Sequence, residues 1–574
     1  MRTALVAALG CSVIFAGANS QAAQPVVALL KVVPDSALGV LVVNRLQDTS
    51  GRLEKLGRDL QVGIPSPLGF AKAVAGVKHG VDEQGSLAIA LFSEDKDERP
   101  VGALFIPVSD YAEFLEGLRA KDPEVEIARV TFFARPVLVT HIAGFAVLVD
   151  SDQEKLLNEI KASSTGIEKL VEPFGPWLAE QTIAGLSLEP GTRRIFDALA
   201  RLVGQAEQAG ATSDQDKPAA ESKSPMLEAL KHLEGETRRC GFGIELADRG
   251  VTISMKVGFK PAGPVAQEIE MTRWPSSQGL DALPAGDYVI AGGGTLPRPW
   301  MIALARAKLT VLRDLLPQAP ALSEEEQKQL DPVLSELVHP IQSLALLLRP
   351  PATGRGLLHQ LTPVVIVDDA RSFLAVYEKR LPAVEKWLPE SRSKPLVSRI
   401  KKIELEGMPA LEMDVDLSAL AAEAKDSTSP AAMLMETLFG SERRFMVYFL
   451  AVDEHRITIS YGSRAGALET AKALRSGKVL AAEPNVRKAV GLLPKQSNWV
   501  GLADLRGVVQ LVNALLPAIA PDARKLPEFP STLPAIARTQ LTPLALDARV
   551  VLPTELIVKL GGYVAKVREL QKED

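Results

Sequence analysis

The sequence predicts an α+β protein of two tandem, related domains, each with a mostly antiparallel sheet and helices packed on one face. The first observation behind this prediction is that short apolar runs of strand length alternate with segments whose apolar residues have helical spacing. The second is that several neighbouring strands are separated by loops of hairpin length, which favours antiparallel pairing. The third is that the same order of elements occurs twice in the 574 residues.

The first elements of the chain show this pattern. Residues 37–43 (ALGVLVV) follow Pro34 and predict a buried strand, and residues 46–60 carry leucines at helical spacing. Residues 86–92 and 101–108 predict a hairpin. Segments of the form strand, helix, hairpin, helix resemble the split β-α-β arrangement.

Polar residues predict where two further helices begin. Asp110, with Glu113 three residues later, has the pattern of a helix N-cap. Ser151 or Asp152 is expected to cap the helix EKLLNEIKA. Between these helices, a second hairpin is predicted with its turn at Arg135-Pro136.

The second half of the chain repeats the first. Val33-Pro34 before the first strand matches Leu283-Pro284 before a later one, and a Pro stands in the predicted turn of one hairpin in each half. Because the matches keep the same order, the sequence predicts a tandem duplication. The matched segments are 108–115 with 367–374, 132–139 with 405–412, 147–162 with 458–473, and 179–199 with 495–515.

The predicted domains are residues 24–270 and 278–574, because one core seldom grows past about 250 to 300 residues. Turn-forming Pro, Gly and Ser residues cluster between 260 and 281 and place the boundary there. The polar segment 206–225 is expected to be a flexible part of the first domain, since residues 241–259 still predict a strand pair.

Residues 1–23 have the three parts of a secretory signal peptide. Arg2 supplies the positive charge, an apolar run follows, and small residues up to Ala23 suit cleavage. The run is shorter than the roughly 20 residues of a membrane span. We therefore expect a periplasmic or extracellular protein. The alternatives are an uncleaved anchor helix and lipidation at Cys11, whose preceding residues fit a lipoprotein signal only roughly.

Charge and cysteine content narrow the possible partners. The 65 basic and 70 acidic residues give a net charge of −5 without a long basic run, so nucleic acid is not expected as a partner. No later segment predicts a transmembrane helix. Cleavage would remove Cys11 and leave Cys240 as a single thiol without a disulfide. Cys240 follows Arg238 and Arg239, which could make it reactive, but a buried Cys at a strand start is the other interpretation.

The sequence carries no recognisable catalytic motif. No two of its six histidines lie three or four residues apart, and HExxH, CxxC and phosphate-loop patterns are absent. The triplet Gly292–Gly294 follows a predicted strand but lacks GxGxxG spacing, which favours a bulge or a crowded strand end. The histidines are His79, His141, His232, His339, His359 and His455.

One acidic group is a weak candidate for a metal site. In IELEGMPALEMDVDL (403–417), acids alternate with apolar residues, so one face of a hairpin should carry five carboxylates directed outward. Oxygen ligands suit Ca²⁺, and Glu412, Asp414 and Asp416 are the candidate ligands. The alternative is a solvated face partly neutralised by nearby basic residues. The acids are Glu404, Glu406, Glu412, Asp414 and Asp416, and the basic residues are Arg399, Lys401 and Lys402.

The opening VVPDSALGVLVVNRLQDTSGRLEKLGRDL (32–60), with echoes near 283 and 493, resembles a family of uncharacterised exported bacterial proteins of the planctomycete type. The family carries repeated units of Leu-Pro, strand and helix. The resemblance implies an exported location. It implies no activity and no catalytic residues.

Together these features predict a non-enzymatic exported protein that acts by binding. The expected site is a large sheet surface or the crevice between the two copies, and the expected partner is another exported protein or a small ligand, without a cofactor. One alternative is an exported hydrolase whose Ser, His or carboxylate groups meet only after folding. The other is a structural, envelope-associated protein.

Overall fold

The fold was analysed in a computed structural model, which describes fifteen stretches of the chain. They are residues 23–93, 100–122, 124–210, 231, 234–272, 274, 279–314, 324–351, 356–385, 387, 397–416, 437–440, 444–494, 497–519 and 523–572. The predicted signal peptide up to residue 22, most of the polar segment 206–225 and His232 lie outside them.

The described residues form α-helices and antiparallel strands, which confirms the α+β class. The helices are α1 Ala23–Val32, α2 Leu46–Asp59, α3 Pro67–Ala75, α4 Tyr111–Gly117, α5 Glu154–Ala162, α6 Gly175–Glu180, α7 Glu189–Gly210, α8 Pro264–Met271, α9 Arg298–Asp314, α10 Glu324–Val338, α11 Ala370–Glu385, α12 Arg464–Arg475, α13 Pro484–Val490, α14 Leu505–Ile519 and α15 Thr554–Lys572. The strands are β1 Gly39–Val43, β2 Leu87–Ser93, β3 Pro100–Pro107, β4 Ala128–Phe132, β5 Arg135–Ile142, β6 Phe145–Asp150, β7 Ile183–Ser187, β8 Thr237–Ala247, β9 Gly250–Phe259, β10 Ile290–Gly294, β11 Ile341–Leu348, β12 Leu361–Val367, β13 Val397–Leu405, β14 Met408–Asp416, β15 Arg444–Ala451, β16 Arg456–Gly462, β17 Trp499–Ala503, β18 Ala535–Thr542 and β19 Ala545–Pro553.

The chain divides into two compact units. Unit 1 comprises Met1–Lys217, Met226–Gly263 and Leu544–Ala565, and unit 2 comprises Pro218–Pro225, Pro264–Pro543 and Lys566–Asp574. Unit 1 therefore includes β19, a strand from near the C-terminus of the chain.

In unit 1 the strands pair in the order β4-β5-β6-β3-β2-β1-β7-β8-β9-β19, and every pairing is antiparallel. β3 and β6, which flank the α4 helix and the β4–β5 hairpin, are neighbours that run in opposite directions.

Helices pack against both faces of the unit 1 sheet rather than the one expected. On the first face, Val40 and Val42 of β1 pack with the fully buried Leu29 of α1, Leu157 of α5 and Trp177 of α6. On the second face, the alternate residues of β1 pack with α2. The strands accept two layers because runs such as GVLVV are apolar at successive positions, which is the pattern of a strand buried on both faces.

In unit 2 the strands pair in the order β13-β14-β15-β16-β12-β11-β10-β17-β18, again all antiparallel. One apolar cluster of this unit joins strands β12, β14, β15 and β16 with Phe373 and Leu374 of α11. In unit 1 a single strand, β6, lies between β3 and the hairpin β4–β5. In unit 2 two strands, β16 and β15, lie between β12 and the hairpin β13–β14. The predicted match between 132–139 and 405–412 therefore does not join strands at equal positions in the two sheets.

Several local contacts occur in both units. Pro34 forms an isolated bridge with Gly166, and Pro284 forms one with Val479. A Cβ on Gly191, at the start of α7, would lie 2.1 Å from the Leu38 carbonyl oxygen, and a Cβ on Gly507, at the start of α14, would lie 2.3 Å from the Tyr288 carbonyl oxygen. Each helix thus begins in contact with the backbone just before the first strand of its own unit. The contact is so close that only glycine, which has no Cβ, fits there.

The two predicted proline turns are wrong in position. The β4–β5 turn lies at Phe133-Ala134, with φ of 48° and 59°, and the β13–β14 turn lies at Glu406-Gly407, with φ of 49° and 77°. Two-residue hairpin turns of this type need positive φ at both positions, and proline is held near −65°. Pro136 and Pro409 are instead second residues of the strands that follow.

Helix starts are partly as predicted. The Asp110 carboxylate accepts a hydrogen bond of 3.0 Å from the Glu113 backbone N–H, which confirms that cap. Helix α5 begins after Gln153, not after Ser151 or Asp152, and Gln153 makes no side-chain capping bond. Helix α1 was not predicted, although Val26, Leu29 and Val33 have helical spacing and are buried.

Candidate binding surface

The second face of the unit 1 sheet carries cross-strand rows of apolar side chains. One row contains Gly185, Phe242, Met255 and Ala548, which lie opposite one another on β7, β8, β9 and β19. The next row contains Ile183, Ile244, Ile253 and Val550. Because side chains two residues apart share a face, both rows point to the same side.

A third row lies on the other side of the Phe242 row. It contains Ser187, Cys240, Val257 and Leu546, and all three rows continue onto β1 and β2 through leucine, isoleucine, valine and glycine. None of these side chains is charged, and Ser187 and Cys240 are the polar members. The residue types on this face are therefore those typical of a buried protein interior.

Part of this face is nevertheless open to solvent. The exposed fractions are 53% for Phe242, 44% for Met255, 40% for Val550 and 37% for Ile253. These four neighbouring residues are called the apolar strip below. A contiguous exposed apolar patch is the kind of feature that marks interaction surfaces, whereas single exposed apolar residues are common.

Helices cover the face on two sides of the strip. Leu53 and Leu56 of α2 pack with Leu41, Ile183 and Ile244 at one end. At the other end α7 packs along β7 and β8. The first residues of α7 are held there by a 2.7 Å hydrogen bond between the Thr192 and Ser187 hydroxyls.

Cys240 lies in the row next to Phe242 and is half-buried. Its backbone N–H donates a 3.2 Å hydrogen bond to the Ser187 hydroxyl. Burial raises the pKa of the Cys240 thiol to about 11. The thiol is therefore protonated near neutral pH, which favours the interpretation of Cys240 as a packed strand residue over a reactive one.

Glu412, a member of the predicted acidic group in unit 2, is 6% exposed rather than directed into solvent. Arg464 donates from Nε at 2.9 Å and from Nη2 at 2.6 Å to Glu412 Oε2, and Lys401 Nζ lies 3.0 Å from Oε1. Lys401 stands directly opposite Glu412 in the β13–β14 register. Arg464 is the first residue of α12, which Ser463 caps through the Gly466 N–H at 3.2 Å.

The two cations determine the charge state of Glu412. Burial alone would raise the pKa of this carboxyl, but the hydrogen bonds from Arg464 and Lys401 hold the pKa below its usual range. Both carboxylate oxygens are thus engaged by protein cations. Burial and the adjacent Glu412 charge raise the pKa of Tyr448, which faces Glu412 on β15.

The remaining acids of the hairpin do not gather around a common point. Asp414 stands opposite Arg399 in the strand register, and Glu406 pairs with Lys472 at 2.9 Å. Within the described residues, no group of three or more His, Cys, Asp or Glu side chains is arranged to hold a metal ion. The cation site at Glu412, Asp414 and Asp416 stays a prediction.

The triplet Gly292–Gly294 lies at the end of β10, where the backbone is crowded, as expected. A Cβ on Gly293 would lie 2.9 Å from Gly279 Cα, and one on Gly294 would lie 2.0 Å from the Asn498 carbonyl oxygen. The glycines therefore serve close backbone packing in unit 2.

Sequence analysis missed the apolar strip. Its signal was present in the strand runs GFGIELA and VTISMKVGF, whose apolar residues share one face. The pattern alone did not show which of the two apolar faces the helices would leave open.

No protein-family model and no curated protein matches the chain. Across the stretches that the structure describes, no helix is both long enough and apolar enough to cross a membrane.

Proposed function

We propose that this chain is an exported, non-catalytic binding protein and that the apolar strip of unit 1 is its binding surface. The observation that carries the proposal is the set of three uncharged cross-strand rows, of which Phe242, Ile253, Met255 and Val550 remain exposed. Burying a large apolar side chain that is left in water stabilises the buried state by about 1.5–3 kcal/mol. Because each of the four side chains is only about half exposed, a partner that covers the strip would gain roughly half of this contribution for each of them.

The export component of the proposal rests on the sequence of residues 1–23 and on the resemblance of residues 32–60. The tandem duplication is likewise a proposal, supported by the shared strand order and by the paired contacts of Gly191 and Gly507.

The hydrolase alternative has no specific observation in its favour among the described residues. His455 Nδ1 lies 2.9 Å from the Asp368 carbonyl oxygen, and the His141 ring stacks on Tyr111 at 4.9 Å. Neither contact pairs an imidazole with a Ser or Cys nucleophile.

The test is fluorescence titration of the mature protein with an uncharged dye that emits only in apolar surroundings. We expect the Phe242→Ser, Met255→Ser double variant to lose dye affinity by about tenfold or more, because two apolar contacts are removed. The matched control is Phe70→Ser, since Phe70 on α3 is 54% exposed and lies outside the strip.

Equal binding by the wild type and the double variant would overturn the proposal. So would an equal loss in the Phe70 control, because the dye would then report general surface apolarity. Circular dichroism of each variant shows whether the fold is retained.

A further inference from the structure

A second exposed apolar surface of unit 1 surrounds helix α3, in a stretch of the chain that is almost free of charge. Residues 60–77 (LQVGIPSPLGFAKAVAGV) contain one charged residue, Lys72, although 24% of the whole chain is charged. The exposed fractions are 55% for Val62, 54% for Phe70 and 48% for Val74. Residues 60–77 are called the α3 lobe below. Grouped exposed apolar residues of this kind mark contact surfaces.

Helix α3 rests on the remainder of unit 1 along one side only. None of its residues is fully buried. The half-buried Leu68, Lys72 and Ala75 recur at helical spacing and share the inner side. The exposed residues occupy the rest of the circumference, and none is charged: Gly69, Phe70, Ala71, Ala73 and Val74. A flat protein partner would contact one side of this helix, whereas a fluid hydrocarbon layer can surround every exposed side.

The single charge of the lobe is paired with an acid of unit 1. Lys72 Nζ donates a 2.6 Å hydrogen bond to Glu83 Oε1, and both side chains are more than half buried. The next charged residues along the chain are Asp59 before the lobe and Lys78 after it. Charges therefore stand at the two ends of the lobe, and its exposed part is uncharged. This distribution complements a lipid surface, where polar headgroups border an uncharged hydrocarbon layer.

The first backbone N–H groups of α3 are bonded within the protein. Pro67, the first residue of the helix, has no N–H to satisfy. The N–H groups of Leu68 and Gly69 donate to the hydroxyls of Ser50 and Ser66, each at 3.2 Å. The fourth N–H of the helix donates to the Ser66 carbonyl at 2.8 Å. The donors that a helix N-terminus normally presents to water are thus already used.

The other end of α3 is closed in a similar way. The N–H groups of Gly76 and Val77 donate to the carbonyls of Ala73 and Lys72 at 3.3 and 2.9 Å. Gly76 has a φ of 78°, the conformation that commonly ends a helix. Backbone groups without partners are costly in hydrocarbon, so a helix with bonded ends is suited to that environment.

The exposed area of the lobe argues against a second copy of the protein. Val62, Phe70 and Val74 are each about half exposed. Together they expose on the order of 300 Å² of apolar surface, since a large side chain has roughly 150–250 Å² in all. A stable protein–protein interface buries about 800 Å² on each partner. Reversible insertion into a bilayer needs no matching surface of that size.

We propose that the α3 lobe inserts into the surface of a lipid bilayer, with Val62, Phe70 and Val74 in the outer part of the hydrocarbon layer. Insertion is shallow, because helices that lie in this region are buried by about 5–10 Å. Binding depends on apolar burial rather than on headgroup charge, since the one charge of the lobe is paired with Glu83. The inference does not rest on the apolar strip, which is a different surface of unit 1.

The experiment measures partitioning of the mature protein onto phosphatidylcholine vesicles, with and without phosphatidylglycerol, at low and high salt. We expect binding to both lipids that persists at high salt. The Phe70→Ser, Val74→Ser variant should lower the partition coefficient by about tenfold, because two apolar side chains are lost from the hydrocarbon. The matched control is Ile195→Ser, Leu199→Ser on α7, a pair that is also one helical turn apart and is 42% and 41% exposed. It should leave partitioning unchanged.

A second measurement locates the lobe within the bilayer. In Phe70→Trp, fluorescence emission should shift to shorter wavelength when vesicles are added. Lipids brominated near the headgroup should quench this emission more strongly than lipids brominated near the chain end. Ile195→Trp, which has the same background of five native tryptophans, should show neither change. This readout keeps an apolar side chain at position 70 and so does not depend on folding of the serine variant.

Several results would overturn the inference. They include no binding to either kind of vesicle, equal binding by the wild type and the Phe70→Ser, Val74→Ser variant, and an equal loss in the α7 control. Binding that requires phosphatidylglycerol and disappears at high salt would indicate an electrostatic contact elsewhere on the protein. Loss of vesicle binding in Phe242→Ser, Met255→Ser instead would move the lipid contact to the apolar strip. A concentration-dependent dimer that dissociates in Phe70→Ser would identify a second copy as the occupant.

Discussion

The acidic hairpin face around Glu412 and the apolar strip around Phe242 are two sheet surfaces with opposite outcomes. On the hairpin, a carboxylate expected in solvent is buried under Arg464 and held by Lys401. On the strip, side chains suited to an interior are left half exposed. The comparison shows that the buried carboxylate of Glu412 is paired with cations of the same chain, while the apolar face of unit 1 is left incompletely covered. We expect the first surface to contribute to stability, and we propose that the second is available for binding.

The largest expected effect comes from removing the central carboxylate of the hairpin. Glu412→Ala leaves the Arg464 and Lys401 charges facing each other without their shared partner. We expect a loss of about 2–3 kcal/mol in unfolding free energy, below the range for fully buried pairs because Arg464 is half exposed. Scanning calorimetry should show a fall of several degrees in Tm.

The control for that substitution is Glu404→Ala, on the exposed part of the same hairpin. It should change the unfolding free energy by less than about 0.5 kcal/mol. Equal losses in the two variants would show that Glu412 has no special role.

The second effect concerns the thiol beside the strip. With a pKa of about 11 against the ordinary 9.0, Cys240 should have roughly 100-fold less thiolate at pH 8 than an unperturbed cysteine. We expect alkylation to be slower by about that factor and to accelerate up to about pH 11. A rate at pH 8 equal to that of a small-molecule thiol would mean that Cys240 is not packed against the sheet.

The third effect is the pH dependence of the hairpin. Because the pKa of Glu412 is lowered by folding, its stabilising contribution is fully present above the ordinary value of 4.5 and is lost as pH falls through the folded pKa. We expect Tm to fall more steeply on acidification in the wild type than in Glu412→Gln. Parallel curves for the two proteins would contradict the ion-pair account, and Glu404→Gln provides the reference slope.

The smallest expected effect is the change in unfolding free energy when an apolar residue of the strip is replaced. Phe242→Ser should lower the unfolding free energy by less than about 1 kcal/mol, since half of the side chain is already in water. A chemical denaturation curve measures this. A loss as large as that of Glu412→Ala would place Phe242 in the core and remove the contrast between the two surfaces.

The sequence predicted the strands of both surfaces and the alternation of the acidic hairpin, because periodicity is local. The β8–β9 pair and the Asp110 cap follow from residues a few positions apart. Arg464 was not foreseen as the partner of Glu412, since it lies 52 residues further along the chain and on a helix. The exposure of Phe242 likewise depends on where α2 and α7 end, which only the packed structure determines.

Unit 1 contains a strand, β19, that the ribosome makes long after the other strands of the unit. Half of the 574 residues lie between Gly258 of β9 and its partner Ala545 of β19. At about 5–20 residues per second, the open edge of β9 must wait on the order of tens of seconds for that partner. During this interval its unpaired N–H and C=O groups are a template for pairing with other chains. Folding of unit 1 therefore cannot be completed in step with the synthesis of its first nine strands, and the nascent chain needs protection until β19 arrives.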